Sequence, residues 1–225
     1  MSLLPAHATY CVPFAFDRQL FLAELIGDFN WSYDLQAGLL SFGNRYQWHT
    51  QVLGTESDES RTWLWAWANK ASNIPDHLLQ ASRIMRAFGE QHEFPELTSH
   101  EVPLDEIDAH FLALIASGVC RANGYYRGPY EGGAVFLLIQ DDSYPCNMEL
   151  PLTRIATVFP QAISALEIPN HRLALLSYLA SYGILGRSDG KKIIVEEGGE
   201  ARLTATFDEQ NRLIKLDARL DAAPR

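Results

Sequence analysis

Between Trp31 and Trp67 the chain returns apolar side chains at every second position, a period that fits one face of an extended strand and not a helix. Trp31, Tyr33 and Leu35 alternate with polar residues as far as a turn at Ala37-Gly38. LLSF follows, Gly43-Asn44 turns again, and Tyr46, Trp48, Thr50 and Val52 then alternate with Gln47, His49 and Gln51. Short alternating runs joined by glycine-containing turns predict an antiparallel meander. Its fourth strand is TWLWAWA, reached through the acidic loop GTESDES. A strand places Trp63, Trp65 and Trp67 on one face, whereas a helix turns Trp65 away from the other two.

The period changes on either side of this meander. The first 15 residues read as extended, and residues 17–29 predict a short helix with Leu20, Leu25 and Phe29 in a stripe and Phe21 beside it. After the meander, Leu78, Ala81, Met85 and Phe88 recur at helical spacing behind Pro75, with Gly89 as the stop. A second helix is expected from Asp105 to Ser117, presenting Ile107, Phe111, Leu114 and Ile115, with Gly118 ending it. Residues 122–140 return to strand around the turn YEGG, and VFLLI, apolar on both faces, predicts a central covered strand. Helices are expected at 152–167, where Pro160 should kink or split the element, and at 171–182, between an Asn170 cap and Gly183. Strands near 192–196, 201–207 and 213–220 close the chain. Ala201, Leu203, Ala205 and Phe207 share one face, DEQN joins the last two strands, and Ile214, Leu216, Ala218 and Leu220 repeat the pattern. The expected class is α+β, antiparallel meander sheets with helix pairs packed on one face. With 225 residues, 47 % of them hydrophobic, the chain suffices for one α+β domain over 1–225. A loose division into sub-lobes 1–100 and 101–225, or one nearer residue 150, is the secondary reading.

Charge narrows the function classes. Eighteen Lys and Arg stand against 28 Asp and Glu, a formal net charge of −10. That balance argues against nucleic-acid binding, which needs a basic footprint, and allows a basic protein partner. Cys11, Cys120 and Cys146 form no C-x-x-C, so neither a disulfide framework nor a zinc site is expected. The N-terminus lacks the basic region of a signal peptide and no apolar run approaches membrane-spanning length, so a cytoplasmic location is expected.

No catalytic or cofactor signature accompanies these features. The seven histidines form no H-x-x-x-H or H-E-x-x-H pair, and G-x-S-x-G, Walker A and G-x-G-x-x-G are absent. Asp108 and His110 lie two apart, which separates them on a helix; Cys120 with His110 is a dyad only if the fold brings them together. Catalytic, metal and cofactor residues are therefore expected to be none.

Three surfaces remain as candidates. A tryptophan ring buries about 150–250 Å², so hiding the Trp63, Trp65, Trp67 face is worth at most about 10–15 kcal/mol, which argues for burial of most of it. Any exposed edge, with Trp63 and Trp65, would serve a partner or line a cleft. The acidic blocks come next: Glu56, Asp58 and Glu59 in the loop, then Glu90, Glu93, Glu96, Glu101, Asp105, Glu106 and Asp108 with no Lys or Arg between Ala87 and Cys120. Such a face is either solvated surface or complementary to a cationic protein. Finally, YYRGPYEGG uses Gly and Pro as hairpin geometry requires, yet Tyr125, Tyr126, Arg127 and Tyr130 are residue types enriched in binding hot spots. Arg127 equally suits an internal pair with Glu56.

LGTES (53–57), TWLWAWAN (62–69) and YYRGPYEGG (125–133) together resemble a bacterial family of unknown function, over roughly residues 20–140. The resemblance implies no activity and supplies no catalytic residues. The expectation is a non-catalytic acidic binding protein, an immunity-type inhibitor of a basic toxin such as a nuclease, contacting it through Glu56, Asp58, Glu59, Glu93, Glu96, Trp63, Trp65, Tyr126, Arg127 and Tyr130. The alternatives are a small-molecule binder or hydrolase with a Trp-lined cleft, and an oligomerisation module.

Overall fold

The computed structural model describes residues 9–145 and 151–219. These form two compact units. One holds the described residues up to Asp17 together with those from residue 151 onward; the other is Arg18–Pro145. The fold is α+β, with every strand pairing antiparallel.

The unit Arg18–Pro145 is built on a curled seven-stranded sheet: β1 (Trp31–Asp34), β2 (Leu39–Phe42), β3 (Tyr46–Ser57), β4 (Thr62–Trp65), β5 (Glu101–Pro103), β6 (Gly124–Tyr130) and β7 (Gly133–Ile139). The 12-residue β3 is its spine. The first part of β3 pairs with β2 and the last part with β4, while β7 runs along its other edge and carries β6. The register of β3 against β7 slips between Val52 and Gly54, a bulge that bends the long strand.

Both faces of this sheet are covered. On one, Leu40, Phe42, Trp48, Val52, Leu137 and Ile139 pack with Leu22 of α1 (Val12–Ile26). On the other, Phe136 meets Trp63 edge-on at 5.2 Å, and Trp63 meets Trp65 at 5.3 Å. There α2 (Gln80–His92), the short α3 (Pro95–Thr98) and α4 (Ala109–Val119) supply buried Met85, Leu97, Leu112 and Ile115. VFLLI, at the centre of β7, is apolar on both faces because both are covered.

The remaining unit sets α5 (Pro151–Ala165) and α6 (His171–Ser181) against a four-stranded sheet ordered β11 (Leu213–Ala218), β10 (Glu200–Phe207), β9 (Lys192–Glu197), β8 (Arg187–Asp189). Ile193, Val195, Leu203, Ala205 and Phe207 form its buried face. Here Asp17, with a side chain only 2 % exposed, pairs with Arg154 and accepts the hydroxyls of Tyr178 (2.6 Å) and Tyr182 (2.5 Å). Both oxygens of this buried carboxylate are thus engaged, Oδ1 by Arg154 and Oδ2 by the two tyrosines, as a desolvated charge requires. Burial, then the Asp17 charge, pushes the Tyr178 phenol well above its ordinary range.

Several boundaries depart from the sequence reading, each for a local reason. Helix α1 starts at Val12, because Pro13 in a first turn forfeits a donor that has no partner there. Gly89 lies inside α2; an added Cβ would meet Leu97 Cβ at 2.5 Å, so it is small for packing, and the helix ends on Glu93 at φ 58°. Helix α4 starts four residues later than expected, where the Asp108 carboxylate accepts the N–H groups of His110 (2.8 Å) and Phe111 (3.3 Å). Helix α5 runs through Pro160 without splitting. In β11 a bulge opposite Thr206 and Phe207 pairs Leu213 with Phe207 and leaves Ile214 65 % exposed; Leu220 lies outside the described residues.

Candidate functional site

The three sequence motifs meet around β3. Gly54 of LGTES admits no side chain, since a Cβ there would lie 2.4 Å from Cζ2 of Trp63. Gly133 of YYRGPYEGG is equally constrained, 2.1 Å from the Glu56 carbonyl oxygen. Glu56 and Arg127 form an ion pair, with Nε donating to Oε1 at 2.6 Å; the side chains are 12 % and 34 % exposed. Much of what makes these segments distinctive is thus the packing of β4 and the β6–β7 hairpin against β3.

That packing corrects part of the expected partner surface. Trp63 and Trp65 have no exposed area, so neither offers a face to a partner nor lines a cleft. The Trp65 indole N–H donates to the Glu96 carbonyl at 3.0 Å. Strand β4 ends at Trp65, and the chain turns there, with Ala68 and Asn69 donating to the Trp65 carbonyl. Trp67 therefore leaves the row; it is half-buried beside His100, with the Arg86 guanidinium 4.6 Å over its ring. Tyr126 is partly buried, packing against Phe42 (4.8 Å) and Trp31 (5.5 Å) at the edge of the α1-side core. Glu93 and Glu96 sit near the Trp65 end of β4, away from the GTESDES loop.

At the Thr62 end of β4, three loops converge. Asp58 N–H donates to the Gly132 carbonyl (3.0 Å), joining the β3–β4 loop to the β6–β7 turn. Leu104 N–H donates to the Arg61 carbonyl (2.8 Å), joining the segment after β5 to the same loop. The convergence gathers the exposed carboxylates of Asp58, Glu59, Asp105, Glu106, Asp108 and Glu131, and the only Lys or Arg in these loops is Arg61. A groove of about 540 Å³ opens there, lined by Glu56 and residues 104–110. Tyr130, 50 % exposed, stands beside it, its hydroxyl 3.3 Å from where a Cβ on Gly133 would lie.

The charges at this end are unevenly engaged. Glu56 is offset by Arg127, and Asp108 caps α4. Among the described residues, Asp58, Glu59, Asp105, Glu106 and Glu131 join no ion pair, so their field is unneutralised. Beneath the groove, His110 Nδ1 and the Tyr125 hydroxyl lie 2.9 Å apart, and burial, followed by the Asp108 charge, pushes the Tyr125 phenol upward. No group of three His, Cys, Asp or Glu among the described residues is arranged to hold a metal ion. Chemically, the arrangement attracts and orients cationic groups and offers one exposed aromatic ring next to them.

Of the residues expected to contact a partner, Glu56, Asp58, Glu59, Arg127 and Tyr130 come together here. Asp105, Glu106 and Asp108 were visible only as part of an acidic run, and Glu131 only as a turn residue. Strand register is what carries them to one end, and no local pattern announces that. Among the described residues no helix is long and apolar enough to cross a membrane.

Residues 6–142, more than half of the chain, match the family described as "Family of unknown function (DUF6882)", and the chain belongs to it. No curated protein and no solved structure matches. All three motifs and the acidic sheet end lie inside the matched span.

Proposed function

We propose that this DUF6882 member is a non-catalytic binding protein that receives a cationic protein partner on the acidic end of the seven-stranded sheet. In its finer form the reading is a bacterial immunity-type inhibitor of a basic toxin such as a nuclease. One observation carries it: three loops from separate parts of the sequence deliver six exposed carboxylates and a half-exposed tyrosine to one end of the sheet, where Arg61 is the loops' one basic residue and Arg127 is taken up by Glu56. Unneutralised charge of one sign destabilises a fold slightly, but it speeds encounter with an opposite charge. Tyr130 supplies the desolvated anchor that charge alone lacks.

The test is capture from host lysate at low and moderate salt with three baits. These are the wild type, a variant with Asp58→Asn, Glu59→Gln, Asp105→Asn and Glu106→Gln, and a control with Glu196, Glu197 and Glu200 each changed to Gln. The proposal expects a protein of high pI recovered by the wild type and the control but not by the first variant, and its toxicity suppressed on co-expression. Equal recovery by all three, or a partner without basic character, refutes it.

A further inference from the structure

His171 is the first residue of α6, directly after its Asn170 cap, and it is only 8 % exposed. Its ring does not point into a hydrocarbon environment alone. The Leu213 N–H, at the start of β11, donates to His171 Nδ1 at 3.1 Å. One residue on, Arg172 N–H donates to the Asn211 carbonyl at 3.3 Å, and the Arg172 guanidinium donates to the Gly190 carbonyl at 2.7 Å. The β10–β11 connection is thus fastened to the first turn of α6, and the innermost fastening is an imidazole lone pair.

An Nδ1 that accepts an N–H carries no proton, so the ring proton resides on Nε2. A second proton has only Nδ1 to go to. There it would face the Leu213 N–H, donor against donor, and a bond would become a repulsion. The surroundings oppose that charge as well. The N-terminus of α6 disfavours a cation, and Arg212 of the connection is already positive. Asp208 is the compensating anion, but its Oδ1 already accepts the Gln210 and Arg212 N–H groups at 2.8 Å each. Burial first, then Arg212, hold the imidazole below its ordinary value of 6.5, and Asp208 and the Ile168 backbone offset this only in part.

We infer that His171 is a proton-operated latch: neutral, it holds the start of β11 against α6, and protonated, it releases it. The sign follows from the depressed value. The latch contributes fully above pH 6.5, the ordinary value, and its contribution is lost as pH falls toward the lower folded value. The latch lies outside the unit that carries the acidic sheet end, so it stands or falls separately from the proposed function.

The experiment is amide hydrogen exchange of the full chain from pH 7.5 to 5, corrected for intrinsic exchange rates, for wild type and His171→Asn. Asparagine Oδ1 occupies roughly the place of Nδ1 and accepts without titrating. In the wild type the protection of Leu213 should fall by up to about tenfold for each pH unit below 6.5 and level off toward the lower folded value. In His171→Asn it should stay flat. The wild-type His171 ring proton shift gives a readout that needs no variant, and its midpoint should lie below 6.5. Flat protection in the wild type, an equal fall in His171→Asn, or a ring midpoint at or above 6.5 overturns the latch. So does an equal fall at Leu137 in the other unit, which would mean global unfolding.

Discussion

Replacing Gly54 with alanine tests whether the LGTES and TWLWAWAN motifs are two halves of one contact. The new Cβ would lie 2.4 Å from Trp63 Cζ2, 2.7 Å from Cε2 and 2.7 Å from the Leu64 carbonyl oxygen. Real Cβ atoms do not approach that closely. Trp63 is fully buried between Trp65 and Phe136, so its ring has no empty space to swing into, and Leu64 O belongs to the backbone of the paired strand β4. Overpacking of this kind costs about 1–3 kcal/mol, and a clash on two sides places Gly54→Ala in the upper part, about 2–3 kcal/mol. For a chain of this size that lowers Tm by roughly 4–12 °C. The assay is thermal unfolding followed by tryptophan fluorescence. All five tryptophans lie between Trp31 and Trp67, so the signal reports the unit Arg18–Pro145 alone. A Trp63→Phe background removes the indole atoms that clash. There the alanine should cost at least about 1 kcal/mol less than in the wild type, the coupling expected of side chains in contact. A Gly54→Ala loss within about 0.5 kcal/mol, or an undiminished loss beside Trp63→Phe, refutes the reasoning.

Other perturbations follow from the same geometry. Arg127→Met strands the half-buried Glu56 carboxylate and should cost about 1–3 kcal/mol, between the exposed and buried limits for ion pairs. Adding Glu56→Gln should restore most of that in urea unfolding. Asp17→Asn leaves Arg154 without its carboxylate and should cost about 3–5 kcal/mol, visible as lost exchange protection across α6. Burial pushes the thiols of Cys11 and Cys120 up to about 12 each. At pH 8 roughly one in 10⁴ would be thiolate, so site-resolved mass spectrometry after iodoacetamide should find both unmodified in the native protein and both modified in urea.

How far the sequence reached depended on whether a feature was local. The meander was legible because each strand carries its own alternation: Trp48 and Thr50 are buried while Gln47 and His49 are exposed. The Asn170 cap and the two-faced VFLLI strand were legible for the same reason. The tryptophan row was half right. Trp63 and Trp65 do share a buried face, but pairing to β3 and β5 runs out at Trp65, and the turn that follows takes Trp67 elsewhere. The helical Val12–Phe16 segment read as extended because two prolines in the first 13 residues outweighed a short apolar run, although Pro13 is tolerated in a first turn. Long-range pairings left no trace in any local pattern. Asp17 meets Arg154 across 137 positions, which is why the first residues and the last third form one unit. The acidic end was the least legible. Glu56, Asp58 and Glu59 stood out as a cluster, but their meeting with Asp105, Glu106 and Glu131 depends on the registers of β4, β5 and the β6–β7 hairpin.

The central claim is that this end of the sheet is where a cationic partner sits, and photo-crosslinking from its aromatic residue tests it most directly. With a benzophenone amino acid in place of Tyr130, irradiation in host cells should yield one dominant adduct to a protein of high pI. Neutralising Asp58, Glu59, Asp105 and Glu106 in the same chain should abolish it, and the same probe at the exposed Leu185 of the other unit should not form it. An adduct that persists after neutralisation, or one no stronger than at Leu185, would contradict the account.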